Sequence, residues 1–169
     1  MLMALPMQSA QADNTAQLLP FSQDWTNIGL ITADDNWSGV SGIIGYLGDD
    51  PSTTTAGADP QTILVPFVTQ DVIANQTNTG ITNGGIAEFH IANPVVALQG
   101  SGTADAPHVI LYLNTTGQTN ITVAYSLRDI DGSIDNAIQP VALQYRVGPS
   151  GNFTNIPAGF VADATTGPS

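Results

Sequence analysis

Ile121-Thr122-Val123-Ala124-Tyr125-Ser126-Leu127-Arg128 is the stretch on which the fold reading turns. Its odd positions are apolar and its even ones small or polar until Arg128, the period of two that a half-buried strand requires. Residues 141–147, Val-Ala-Leu-Gln-Tyr-Arg-Val, repeat the pattern. Val109, Leu111 and Leu113 form a further inward row, and Ile110 and Tyr112 opposite them predict cover on both faces. Other strands are predicted at 27–32, 40–47, 62–68, 86–91 and 95–99. Clusters of Gly, Asn, Asp and Pro separate these runs, and no long stretch keeps the 3.6-residue period of a helix.

The expectation is an all-β fold, two antiparallel sheets packed face to face as a jelly-roll-like sandwich, in preference to a closed barrel. Two turn-rich stretches, 48–61 and 70–85, are predicted surface loops. No internal repeat is evident across them.

At the other end of the chain, Met1-Leu2-Met3-Ala4-Leu5-Pro6-Met7 is mostly apolar and soon reaches Ala10-Gln11-Ala12. A small-x-small triplet after an apolar run is what a signal peptidase reads. Residues 1–12 are therefore read as a signal-peptide remnant, 13–20 as a leader and 21–169 as the β-module. The expected location is secreted or cell-surface. The short apolar run without a preceding positive charge implies truncation in front. The mature length suits one domain with a substantial core. No later apolar run approaches the roughly 18 residues that cross a bilayer, so no membrane span is expected.

The chain has no cysteine, which excludes disulfides, thiolate metal sites and cysteine catalysis. Fourteen acidic residues against two arginines and no lysine give a formal charge of -12. Such a surface repels phosphate backbones, so no direct nucleic-acid binding is expected, and divalent cations are its natural counter-ions. Charged residues are only 9% of the chain, and the polar surface must be mainly Thr, Asn, Ser, Gln and Gly. That is the texture of an extracellular β-domain, not of an acidic disordered tail.

The most suggestive constellation is Asp129-Ile130-Asp131-Gly132-Ser133-Ile134-Asp135-Asn136. Alternating carboxylates around a Gly turn can converge on calcium, which takes six to eight oxygen ligands, so Asp129, Asp131 and Asp135 are the candidate Ca2+ ligands. This is not an EF-hand loop, because the Gly is fourth and Pro140 stands where a bidentate Glu is needed. A solvated hairpin loop uses the same residue types. Asp34 and Asp35, just before Trp37, are a second set of candidate oxygens.

Catalytic motifs are harder to find. His90 and His108 lie in no recognisable zinc or nucleophile motif. Glu88, the only glutamate, would share a strand face with His90, which permits an acid/base pair but equally describes a polar row on an outer face. Catalysis by this piece alone is not expected. Trp37 and Tyr46 are candidate sugar platforms, set against the alternative that they are packing residues. Arg128 and Arg146 are expected to pair with Asp. Five Asn-x-Ser/Thr triplets, at Asn36, Asn75, Asn114, Asn120 and Asn152, matter only where the host glycosylates them.

Several phrases are familiar as a set: Phe21-Ser22-Gln23-Asp24-Trp25, Asp34-Asp35-Asn36-Trp37-Ser38-Gly39-Val40, and residues 91–104, Ile-Ala-Asn-Pro-Val-Val-Ala-Leu-Gln-Gly-Ser-Gly-Thr-Ala. The series continues with Leu113-Asn114-Thr115-Thr116-Gly117, with Tyr125-Ser126-Leu127-Arg128-Asp129-Ile130-Asp131-Gly132, and with residues 139–148. Together they resemble a β-sandwich module of large secreted bacterial proteins, including extracellular nucleases of the endonuclease/exonuclease/phosphatase type and surface proteins with sorting tails. The resemblance implies a further strand beyond Ser169, hence a sandwich incomplete at its C-terminus, with other domains of a larger polypeptide as partners. It says little about activity, since such modules accompany several catalytic or anchoring domains. The expected function is a non-catalytic extracellular module, calcium-stabilised, in adhesion or substrate presentation. The alternatives are a carbohydrate-binding module with a polysaccharide partner, and a fragment of a secreted hydrolase such as a nuclease.

Overall fold

The structure is a computed structural model, and it describes residues 13–49, 59–130 and 138–165. Regular structure among them is almost entirely β. Nine short strands run in chain order: β1 (Gln17–Leu18), β2 (Ile43–Tyr46), β3 (Ile73–Gln76), β4 (Gly85–Phe89), β5 (Val95–Gln99), β6 (His108–Leu111), β7 (Leu113–Asn114), β8 (Gln144–Tyr145) and β9 (Thr154–Asn155). Two 3-10 turns, Pro60–Thr62 and Pro157–Gly159, each begin on a proline, whose fixed φ suits a first helical position. The all-β expectation holds, and among the described residues no closed barrel forms.

The strands make four small sheets. In the largest, β4 is central, antiparallel to β5 from Gly85↔Gln99 to Phe89↔Val95 and parallel to β3. β2 pairs antiparallel with β6, from Ile43↔Leu111 to Tyr46↔His108. On its other edge β2 meets residues 69–71, through Leu47 N–H to Thr69 C=O and Asp71 N–H to Gly45 C=O. β1 lies parallel to β7, and β8 antiparallel to β9. The two parallel pairs depart from the purely antiparallel expectation: β1 and β7 are distant in sequence, and residues 77–84 cross over between β3 and β4 instead of turning back as a hairpin.

The core forms where β2 is covered on both faces. Ile43, Ile44 and Tyr46 join Ile31, Trp37, Val40, Val72, Ala74 and Ile86 in one buried cluster. Trp37 is its largest fully buried side chain, at 0% exposure. The indole N–H donates to the Asp71 carbonyl at 3.0 Å, so the ring's one polar atom is satisfied inside the core. Trp25 meets it edge-on at 6.3 Å between ring centroids. Gly45 faces the same ring, and a Cβ there would run into the indole and the Ile86 methyl. A central strand position without a side chain is what lets β2 approach Trp37.

The predicted strands at 86–91 and 95–99 appear as β4 and β5, and 40–47 contains β2. Others do not form. Residues 27–32 and 62–68 make no strand, and 141–147 contributes only β8 and the Val141↔Val161 bridge. The predicted loop 70–85 holds β3, whose apolar run Val72-Ile73-Ala74 is cut short by Asn75 at a φ of 58°. Residues 121–129 carry the clearest strand pattern yet pair with no described strand.

Packing around Trp37 sets a testable cost. Trp37→Ala should destabilise by about 3–5 kcal/mol. Gly45→Ala should cost roughly 1–3 kcal/mol by overpacking the same contact. Urea denaturation followed by far-UV circular dichroism measures both.

Candidate functional site

Four carboxylates are gathered along β3 and β4. Asp34 Oδ1 accepts the Ala74 N–H at 2.8 Å, and Asp35 Oδ1 accepts the Val72 N–H at 3.2 Å. The Asp35 N–H returns a bond to the Val72 carbonyl at 2.9 Å, and the Thr32 carbonyl accepts from Asn75 Nδ2. Residues 32–35 thus cover the free edge of β3, with side-chain oxygens standing where a neighbouring strand's carbonyls would be. Asp35 holds a φ of 58°, a left-handed conformation that Asp tolerates better than most residues.

Two more acids work from the interior. Asp71 Oδ2 accepts the N–H of Ile86 in β4. Glu88 Oε2 accepts the Asn75 N–H at 2.9 Å, and its Oε1 lies 2.7 Å from His90 Nε2. Glu88 is only 5% exposed, so the outer polar row considered for Glu88 and His90 is corrected to a buried carboxylate paired with a half-buried imidazole. Burial, foremost, holds the Asp71 carboxyl above the usual carboxylate range; the Ile86 N–H opposes this, and the nearby charges of Asp35 and Asp34 add to it.

Chemically, Asp34, Asp35, Asp71 and Glu88 are acceptors for backbone N–H groups. Among the described residues no group of three or more His, Cys, Asp or Glu is arranged to hold a metal ion. Asp34 and Asp35 therefore have a structural task that their sequence position did not disclose. Asp129 is half-buried at the end of the 121–129 run, while Asp131 and Asp135 lie outside the described residues.

The proposed sugar platforms are corrected by burial. Trp37 is inside the core, and Tyr46 is 7% exposed. The Tyr46 ring stacks on His108 at 5.3 Å between centroids, and its hydroxyl lies 3.2 Å from that of Tyr112. Burial first, and then the Tyr112 hydroxyl, push the Tyr46 phenol well above its ordinary value. His108 Nδ1 donates to the Ala106 carbonyl at 2.9 Å, which leaves Nε2 as the unprotonated nitrogen of a largely buried ring. Desolvation lowers the His108 pKa, and the Ala106 bond offsets it in part.

The two arginines bond to backbone carbonyls. Arg128 Nη2 donates to Asn93 O at 2.5 Å, and Arg146 Nη1 to Gly151 O at 3.1 Å with its guanidinium 4.6 Å above the Phe153 ring. An open polar depression is lined by Thr82, Asn83, Gly84, Ser101, Gly102 and Thr103. Sequence reasoning missed it, although the Gly and hydroxyl clusters at 82–84 and 101–103 were there to be read.

Comparison with protein-family models, curated proteins and solved structures returned no match.

Two pH responses follow. A carboxyl held above its unfolded value favours the fold when protonated, and that contribution is lost as pH rises through the folded value. Asp71→Asn keeps an acceptor for Ile86 and removes the charge. It should raise the melting temperature at pH 7, with the gain fading as pH falls toward 3.8, the ordinary value. His108, held below its ordinary 6.5, contributes stability that is present above that pH and lost as pH falls beneath it. The loss of melting temperature between pH 6.5 and 5 should be smaller in His108→Phe.

Proposed function

We propose that this chain is a non-catalytic, exported β-module of a larger secreted or cell-surface protein, working in adhesion or substrate presentation. The observation that carries the reading is the use of the acids along β3 and β4. Asp34, Asp35, Asp71 and Glu88 hold strand amides, which makes them scaffold and takes them out of acid/base work. The lysine-free, Thr- and Asn-rich composition suits an extracellular surface. The resemblance of residues 21–169 to modules of large secreted bacterial proteins supports the same placement. In this reading the four small sheets belong to a jelly-roll-like sandwich.

Calcium enters the proposal through Asp129, Asp131 and Asp135, whose alternation around Gly132 suits an oxygen-ligated ion. A second reading, carbohydrate binding, is favoured by the hydroxyl- and amide-lined depression at residues 82–84 and 101–103. Polysaccharide would be recognised there by hydrogen bonding and not by stacking on Trp37 or Tyr46.

Purified chain should show no turnover of nucleic acids or glycosides, and measurable hydrolysis that survives repurification would overturn the non-catalytic assignment. Added calcium should raise the melting temperature, and the triple variant Asp129→Asn, Asp131→Asn, Asp135→Asn should lose that response. On a glycan array, binding abolished by Asn83→Ala with Thr103→Ala would move the assignment to the second reading.

A further inference from the structure

Residues 121–129 run without a turn or bend, and no backbone hydrogen bond joins them to another described segment. Ile121, Val123, Tyr125 and Leu127 are each between 44% and 47% exposed, an apolar row left open on a chain with a charge of -12. The segment is nevertheless held on the molecule. The Tyr125 hydroxyl donates to the Gly159 carbonyl at 2.6 Å, and Arg128 donates to the Asn93 carbonyl. An anchored run whose residues 121–127 make no backbone bond to another described segment, with one apolar face, is a template for strand addition.

We propose that residues 121–127 are a homodimerisation strand, paired antiparallel with the same residues of a second copy about a twofold axis at Ala124. The sequence is its own complement in that register. Ile121 stands opposite Leu127 and Val123 opposite Tyr125, so the apolar rows of both copies fall on one face, and Thr122 meets Ser126 on the other. Charge selects the same occupant. No Asp or Glu occurs in residues 106–128, so two strongly acidic chains meet here without opposed carboxylates. Arg128, the one charge in residues 121–128, falls opposite Asn120, which keeps the two guanidinium-bearing residues roughly 26 Å apart along the ribbon. The contact is isologous, with the same residues of both copies forming it.

The test is light scattering of the full chain over a concentration series, together with hydrogen exchange of residues 121–127. The expected result is a concentration-dependent dimer, favoured by added salt as repulsion between the acidic bodies is screened. Amides within 121–127 should be protected in the dimer and lose protection on dilution. Val123→Glu, which sets a carboxylate in the apolar row, should weaken the dimer by about tenfold or more and leave the circular dichroism spectrum unchanged. Three results would each overturn the proposal. They are a monomer at every concentration with rapidly exchanging 121–127 amides, a monomer in which those amides are protected by another part of the chain, and a dimer indifferent to Val123→Glu.

Discussion

The burial of Trp37 against a glycine is the constraint from which the remaining architecture follows. Its ring needs a strand that comes close without a side chain, and Gly45 supplies one; its N–H needs an acceptor, and the carbonyl of Asp71 supplies that. Those two demands fix β2 beside residues 69–71. Because Asp71 also accepts the Ile86 amide, the same contact brings β4 alongside. A large apolar side chain with one polar atom thus sets the spacing and the relative placement of three segments distant in sequence.

The acids complete what Trp37 begins. In a chain with so few cations, backbone N–H groups are the main partners left to these carboxylates, and β3 and β4 present such donors, with His90 added at Glu88. Covering the β3 edge with Asp34 and Asp35 also protects it from pairing with foreign strands. The residual imbalance sits on Asp71, whose carboxyl is partly buried near two like charges and is held above its ordinary range.

Hydrophobic patterning located β2, β4, β5 and β6, as apolar runs between turn residues, and each pairs with a partner along its full length. It missed β3, a four-residue strand whose Asn75 bends out of the regular pattern and whose edge is completed by side chains. It overstated 121–128, because a period of two reports a strand's capacity to bury one face, not the presence of a partner. The site was legible only as composition. Asp34 and Asp35 were visible as an acidic pair before a Trp, but their amide partners lie in and just before β3, about forty residues on, a separation that no local pattern encodes.

By itself the sequence determined the β class, the acid-dominated charge, the absence of thiol chemistry and the positions of the strongest strands, since all of these depend on residue types and short-range periodicity. Tertiary structure decided which tryptophan is core, which carboxylates hold backbone amides, and which apolar row remains uncovered. Those properties depend on what a side chain meets across the fold, and burial and hydrogen-bond partners are set by distant segments.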